Sequence, residues 1–411
     1  MGAPHMLASG RAFAHIARFH PELTAFRRDL HAHPELGFEE VYTSARVQEA
    51  LRLCGVDEVH TGIGKTGVVA LIHGQPHAPG ASAGSAPRMI GLRADMDALP
   101  LHEHNDVAWK SATPGLMHAC GHDGHTAMLM GAARYLVETR QFRGTACLIF
   151  QPGEEGYAGA RAMIEDGLFD RFACAQVYAQ HNAPDVPLGV IGITPGPMQA
   201  AVDRVEITIT GQGGHGARPH QTVDPVLVAG HIITAAQSIV ARNLSAMDQA
   251  VLSICSMQGG HPGAMSVIPG EVTLVGTVRT YSAQVQAHIE QRLTHLCQGI
   301  AQGFGATANV HYERVYPATV NTVPEAEFAA DVAARLVGEA QVVRHMTPSM
   351  GGEDFAFMLQ VKPGAYMRIG QGQPAQGRSH PLHNSRYDFN DAILPLGAAL
   401  HASLIEAAMP L

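Results

Sequence analysis

Met117-His118-Ala119-Cys120-Gly121-His122-Asp123-Gly124-His125 sets one thiol, three imidazoles and one carboxylate ahead of an apolar helical pattern. Met128, Leu129, Ala132, Ala133, Leu136 and Val137 recur at helical spacing, which predicts a helix from His122 to Thr139. Thiolate and imidazole are good ligands for zinc and other borderline metals. Cys120 and His122 can project from one turn, and a helix N-terminus lowers a thiol pKa toward its metal-binding form. The competing reading is a solvated histidine-rich loop beside a buried free cysteine, and this segment alone leaves both open.

Outward from that helix, apolar strands alternate with helices. Residues 20–53 read as two helices around a turn at His33-Pro34-Glu35-Leu36-Gly37. Val68–Ile72, Met89–Leu92 and Thr145–Phe150 read as buried strands, with a Gly/Pro/Ala/Ser loop at 74–87. This texture predicts an α/β sheet covered on both faces. From about Gly189 it changes. Asp203–Thr210 and Glu271–Arg279 alternate strictly, as half-exposed strands do, and helices are expected from Asp224-Pro225 to about Arg242 and from Ser282 to Gln302. Residues 189–314 therefore read as a smaller α+β domain inserted into a discontinuous larger one, 1–188 and 315–411. Pro225–Ala241 is apolar but reads as too short to span a bilayer and as a buried helix.

Four further segments carry chemistry. Glu154-Glu155 directly follows the 145–150 strand, the end of an open α/β sheet where active sites sit. One carboxylate can bind a metal while the other serves as a general base; alone, the pair would read as two exposed turn residues. His181 follows the apolar-leaning 173–177, His380 and His383 lie near the C-terminus, and Asp95 and Asp97 close the 89–92 strand. Three familiar patterns fail on context. Gly80-Ala81-Ser82-Ala83-Gly84 matches a nucleophile elbow but lies in a low-complexity loop without the required strand and helix. Gly211–Gly216 matches a dinucleotide fingerprint but lacks the later acid, and Pro219 interrupts the helix start. Gly64-Lys65-Thr66 resembles a P-loop ending, but Val59 stands where glycine is required.

Composition narrows the classes. The 411 residues are 46% hydrophobic and 15% charged, which excludes a disordered chain. A formal charge of −9 argues against a nucleic-acid partner. Six cysteines without a CxxC pair suit a reduced, cytoplasmic protein. No secretory signal is read in residues 1–10, residues 1–6 suit an expression remnant, and no membrane partner is expected.

Taken together, the motifs resemble the M20 metallopeptidases, in the aminoacylase-like branch of N-acyl-amino acid, hippurate and auxin-conjugate hydrolases. The matching segments run in order: RRDLHAHPELGFEE (27–40), TGIGKTGVVA, LRADMDALP, MHACGHDGHTAMLMGAA, FQPGEEG, AQHN, DRVEITITGQGGHGARPHQTVDP, SVIPGEVTLVGTVRT, GGEDFAFML and HNSRYDFND. The resemblance implies a dinuclear-metal peptidase domain with an inserted lid and dimerisation domain, hence a homodimer or higher homo-oligomer. It implies two divalent ions (zinc or manganese, with cobalt or nickel also matching) held by Cys120, His122, Glu155, His181 and His383, with His380 the alternative to His383. Glu154 is then the general base. His215 would support the oxyanion, Arg279 would grip the substrate carboxylate, and Asp97 would orient a ligand histidine from behind. Arg279 can equally be read as a structural salt-bridge residue and His215 as a turn histidine. The implied reaction is hydrolysis of N-acyl-L-amino acids. The alternatives are a dipeptidase or deacetylase of an N-acetylated intermediate on the same site, and a non-catalytic metal-binding scaffold. Two departures stand out. Asp95 occupies the position where peptidase branches carry a metal-binding histidine, and Ser266 replaces the branch's usual asparagine before Val267-Ile268-Pro269, which bears on acyl-amino-acid specificity.

Overall fold

A computed structural model describes residues 8–76, 88–372 and 380–411. The Gly80–Gly84 pattern and most of the 74–87 loop lie outside the described residues. The chain divides into two compact units: Met1–Met198 with Val320–Thr347 and Asp354–Leu411, and Gln199–Thr319 with Pro348–Glu353. The second unit thus begins at Gln199 where the texture of the sequence placed a boundary at Gly189, and it also takes in the short 348–353 segment.

The first unit is built on an eight-stranded mixed sheet. Its order is Glu58–Ile63, Gly67–His73, Thr145–Gln151, Met89–Asp95, Gln176–Ala183, Gly364–Gly370, Ile191–Gly192 and Val342–Val343. The four strands Thr145–Gln151, Met89–Asp95, Gln176–Ala183 and Gly364–Gly370 are mutually parallel, so their C-terminal ends share one edge. Alternate residues go to opposite faces, and both are covered. Val68, Ala70, Leu92, Leu148 and Phe150 pack under helices His122–Thr139 and Leu394–Ala408. Val69, Leu71, Ile149 and Val177 pack against Met163, Leu168, Phe355 and Met358. The sheet is therefore buried on both sides, and its strands read as continuous apolar runs for that reason. Helix His122–Thr139 lies where its spacing predicts.

The second unit has a four-stranded antiparallel sheet in the order Ala250–Gln258, Glu271–Thr280, Ala201–Thr210 and Thr307–Tyr316. Val205, Ile207 and Ile209 turn to one face and form a core with Val228, Ile232 and Ala236 of helix Pro225–Ser238 and Ile289, Leu293 and Cys297 of helix Ala283–Gly303. Arg204, Glu206 and Thr208 alternate to the other face. Asp224 caps the first of these helices by accepting from Val226 N at 2.9 Å. The reading of 225–241 as a short buried helix is corrected. Helical structure there runs for 19 residues, Pro225–Asn243, long and apolar enough to cross a membrane by length and composition, yet only 33% of its most apolar 18-residue stretch is buried. One stripe, including Val228, Ile232 and Ile239, packs on the sheet, while Val226 and Leu227 are exposed.

Candidate metal centre and catalytic carboxylates

At the C-terminal edge of the parallel strands the first unit gathers most of the residues that the sequence singled out. Gly121 makes the turn into helix His122–Thr139 with φ +93°, a conformation that disfavours any side chain. A Cβ there would come within 2.6 Å of Asn182 Oδ1 and 2.7 Å of Tyr387 Oη. This turn lets Cys120 and His122 face the same space. Cys120 Sγ lies 3.4 Å from His181 Nε2. Ligand atoms of Cys120, His122 and His181 fall within 4.8 Å of one another, as do those of Cys120, Glu155 and His383, and those of His122, Glu154 and Glu155. His383 Nε2 is 3.1 Å from Glu155 Oε1, and His122 Nε2 is 4.0 Å from the same oxygen. His383 is the C-terminal histidine brought to this cluster; His380 belongs to none of these groups. His383 adopts φ +63°, and its backbone N–H donates to Ala119 O at 2.8 Å, which ties the C-terminal segment to the Cys120 turn.

The histidines are oriented by their second nitrogens. His122 Nδ1 donates to the Asp97 carbonyl at 2.9 Å and lies 3.3 Å from Asp97 Oδ1. His181 Nδ1 donates to the Asn182 carbonyl at 2.7 Å. Each bond leaves Nε2 as the electron-pair donor. His125, the third histidine of the motif, is placed differently. Its Nδ1 donates to Asp95 at 2.6 Å and its Nε2 lies 2.7 Å from Asn182 Oδ1, so both nitrogens are engaged. Asp95 also takes a 2.7 Å ion pair from Arg93.

Asp97 does more than back a histidine. Its Oδ1 accepts from Glu154 N and its Oδ2 from Glu155 N, each at 2.9 Å. Glu154 is further fixed by Asp354 N, which donates to its Oε1 at 3.2 Å. The sequence did not single out Glu40, whose buried carboxylate accepts from Gly153 N at 2.8 Å. Nothing in the local pattern distinguishes it from the exposed Glu39 beside it.

The donor set suits a pair of divalent ions. It combines a thiol, three imidazoles and carboxylates, the N/S/O mixture that borderline metals prefer. The buried His122 Nε2 has no hydrogen-bond partner among the described residues. A buried polar atom without a partner is costly, and a metal ligand bond would remove that cost. Burial, with the charge of Glu155 added, pushes the Cys120 thiol well above its usual value. Burial alone would lower His122, but the charges of Asp95 and Cys120 raise it well above the ordinary imidazole range. Burial and neighbouring His125 depress His181. A nearby dication reverses this balance and favours thiolate and neutral imidazole.

Three residues that the sequence singled out, His215, Ser266 and Arg279, belong to the second unit. His215 is exposed on the short strand Gly214–His215, paired with Val267–Ile268, and its Nδ1 accepts from Ala217 N at 3.1 Å. Ser266 is exposed and its carbonyl accepts from Gly216 N at 2.7 Å, so it sits directly beside the His215 turn. Arg279, on strand Glu271–Thr280, is half-buried and donates to Val278 O at 3.1 Å and to Thr277 Oγ1. It forms no ion pair with a carboxylate among the described residues, and burial lowers its pKa.

Comparison with known proteins gives a consistent picture. The profile of Peptidase family M20/M25/M40 matches residues 91–407. The chain is 39% identical to the hippurate hydrolase of Campylobacter jejuni over 93% of its own length and 95% of that protein. It is also 39% identical to an N-acetylcysteine deacetylase of Bacillus subtilis, over 86% and 89% of the two chains. Among solved structures it matches a dinuclear metal-binding peptidase of Bacillus subtilis with a TM-score of 0.80 at 33% identity, covering 96% of this chain and 99% of that one.

Proposed function

The chain belongs to peptidase family M20/M25/M40, and from that premise we propose that it hydrolyses the amide bond of N-acyl-L-amino acids, releasing a carboxylic acid and an amino acid. It is a metal-dependent amidohydrolase. The observation that carries the reading is the convergence of Cys120, His122, Glu155, His181 and His383 beside Glu154 at one sheet edge.

Those five residues would hold two divalent ions, zinc or manganese, with cobalt and nickel suiting the same donors. When bound, such ions acidify a water and polarise an amide carbonyl. The protein's own part in the chemistry falls to Glu154. Its carboxylate takes the proton of the attacking water and hands it to the leaving nitrogen as the C–N bond breaks. Asp97 holds the Glu154–Glu155 turn by its backbone, so base and ligand keep separate directions. From the family resemblance we assign His215 to the oxyanion and Arg279 to the substrate carboxylate. The lack of a carboxylate partner for Arg279 among the described residues supports that assignment.

A second reading, removal of a small acyl group such as acetyl, draws support from the N-acetylcysteine deacetylase relative, whose identity equals that of the hippurate hydrolase. Ser266 beside His215 is the residue on which this choice would turn. We further propose a homodimer formed through the second unit. Its edge strand Ala250–Gln258 and the exposed Met257, Met265 and Val267 support this. Six cysteines without a disulfide support a cytoplasmic location.

The test of function is amine release from N-acetyl-, N-benzoyl- and indole-acyl amino acids and dipeptides, with Glu154→Gln alongside. Loss of turnover in that variant with its metal retained is expected. Equal turnover by Glu154→Gln would remove Glu154 from the role of base.

A further inference from the structure

Three consecutive backbone N–H groups in the turn that carries Glu154 end on buried carboxylates. Glu154 N and Glu155 N donate to Asp97, as described. The third, Gly153 N, donates to Glu40 Oε1 at 2.8 Å. Gly153 has φ +59° and Gly156 φ +87°, left-handed conformations that glycine adopts without strain and that let the chain turn here. Successive amides of this kind form an anion-binding concavity, and here the protein fills it with its own side chains.

Glu40 is itself fixed from two directions. It stands at the N-cap of helix Val41–Cys54, where its carbonyl accepts from Ser44 N at 3.0 Å. Its second carboxylate oxygen accepts from Thr66 Oγ1 at 2.5 Å. Thr66 lies in the turn between strands Glu58–Ile63 and Gly67–His73. The residue is fully buried, and burial, with Asp97 nearby, pushes its carboxyl up to about 7. Keeping a carboxyl there is costly, and an apolar residue would fill the space without that cost. The return is an acceptor at the one of these three consecutive amides that Asp97 does not reach.

We propose that Glu40 is a positioning residue for the general base: by accepting from Gly153 N, with Thr66 fixing its carboxyl, it sets the direction in which Glu154 leaves the turn. The proposal rests on the reading of Glu154 as the base.

The experiment uses the full-length, two-metal enzyme and its best N-acyl amino acid. Glu40→Met keeps volume but removes the acceptor, and we expect kcat to fall about 30- to 100-fold, the scale of a misplaced catalytic group. KM should stay within about twofold and both metals should remain bound. Glu40→Gln restores an acceptor oxygen and should recover kcat to within about threefold of the parent. Thr66→Val removes only the hydroxyl, and we expect kcat to fall about fivefold, the scale of one neutral hydrogen bond, with KM unchanged. A Glu40→Met enzyme within twofold of the parent overturns the proposal. So does a loss that follows metal release, or Glu40→Gln being as damaged as Glu40→Met. If Glu40→Met does not fold, Thr66→Val decides, and an unchanged kcat there overturns the proposal. Failure of the underlying reading looks different: turnover that persists in Glu154→Gln removes the base and this proposal together. An active, Glu154-dependent parent with an active Glu40→Met removes this proposal alone.

Discussion

Cys120 is a buried thiol whose charged form the protein alone disfavours, so its proposed role as a thiolate ligand depends on a bound ion. Removing metal should return Cys120 to the thiol. Loss of thiolate absorbance in the near ultraviolet on chelation of the cobalt-loaded enzyme would report this, and a cobalt spectrum without a thiolate band would contradict Cys120 as a ligand. Asp97 links three site residues through its carbonyl and both carboxylate oxygens. Asp97→Ala should cost about 10- to 100-fold in metal affinity or turnover, the usual effect of removing a partner that orients a ligand. Metal titration of the stripped variant checks it, and an unaltered affinity together with an unaltered kcat would contradict the role. The candidate ligands stood out in the sequence because thiol, imidazole and paired carboxylates lie next to predicted strand ends and helix starts, and the M20 resemblance is what grouped them into one proposed set. Glu40 was not legible. A glutamate after Gly-Phe-Glu in a loop carries no periodic mark of burial, and only the fold shows that Gly153 N reaches it.

The turn into helix His122–Thr139 decides the direction of Cys120 and His122 at the scale of elements. Gly121→Ala would have to hold φ near +93° while its Cβ pressed on Asn182 and Tyr387. The expected cost is on the order of 1–3 kcal/mol, read as a lower denaturant midpoint with unchanged slope. A midpoint equal to the parent's would show that the turn relaxes freely. Behind this helix, buried His31 donates to Asp123 at 2.8 Å, lies 3.3 Å from Glu103 and shares Asp123 with Arg27. Burial alone would lower its pKa, but attraction to Asp123 and hydrogen bonds to Asp123 and Glu103, against opposition from Arg27, raise it from 6.5 to about 9. The folded value exceeds the unfolded one. This contribution is therefore full below about pH 6.5 and is lost as pH rises through about 9, a difference on the order of 3 kcal/mol. Stability measured from pH 6 to 10 should decline across that window, and His31→Gln should flatten the decline. An equal decline in the variant would assign it elsewhere. Helix positions were legible because a 3.6-residue repeat marks a buried stripe. The allegiance of 348–353 was not, because a short irregular segment is assigned by its tertiary contacts rather than by its own pattern.

At the scale of the whole molecule, two textures of sequence became two units: continuous apolar strands made the doubly covered sheet, and alternating strands made the half-exposed one. The proposed dimer predicts twice the chain mass by light scattering, and a single-chain mass at micromolar concentration would contradict it. The central claim is that the clustered ligands and Glu154 make a metal-dependent amidohydrolase of N-acyl amino acids. The most direct measurement is amine release from a panel of N-acetyl, N-benzoyl and indole-acyl amino acids by chelator-stripped protein, before and after Mn²⁺ or Zn²⁺ is restored. The account predicts no release from the stripped protein and recovery of turnover as metal approaches two ions per chain. Metal bound at two per chain with no amine released from any member of the panel would contradict it.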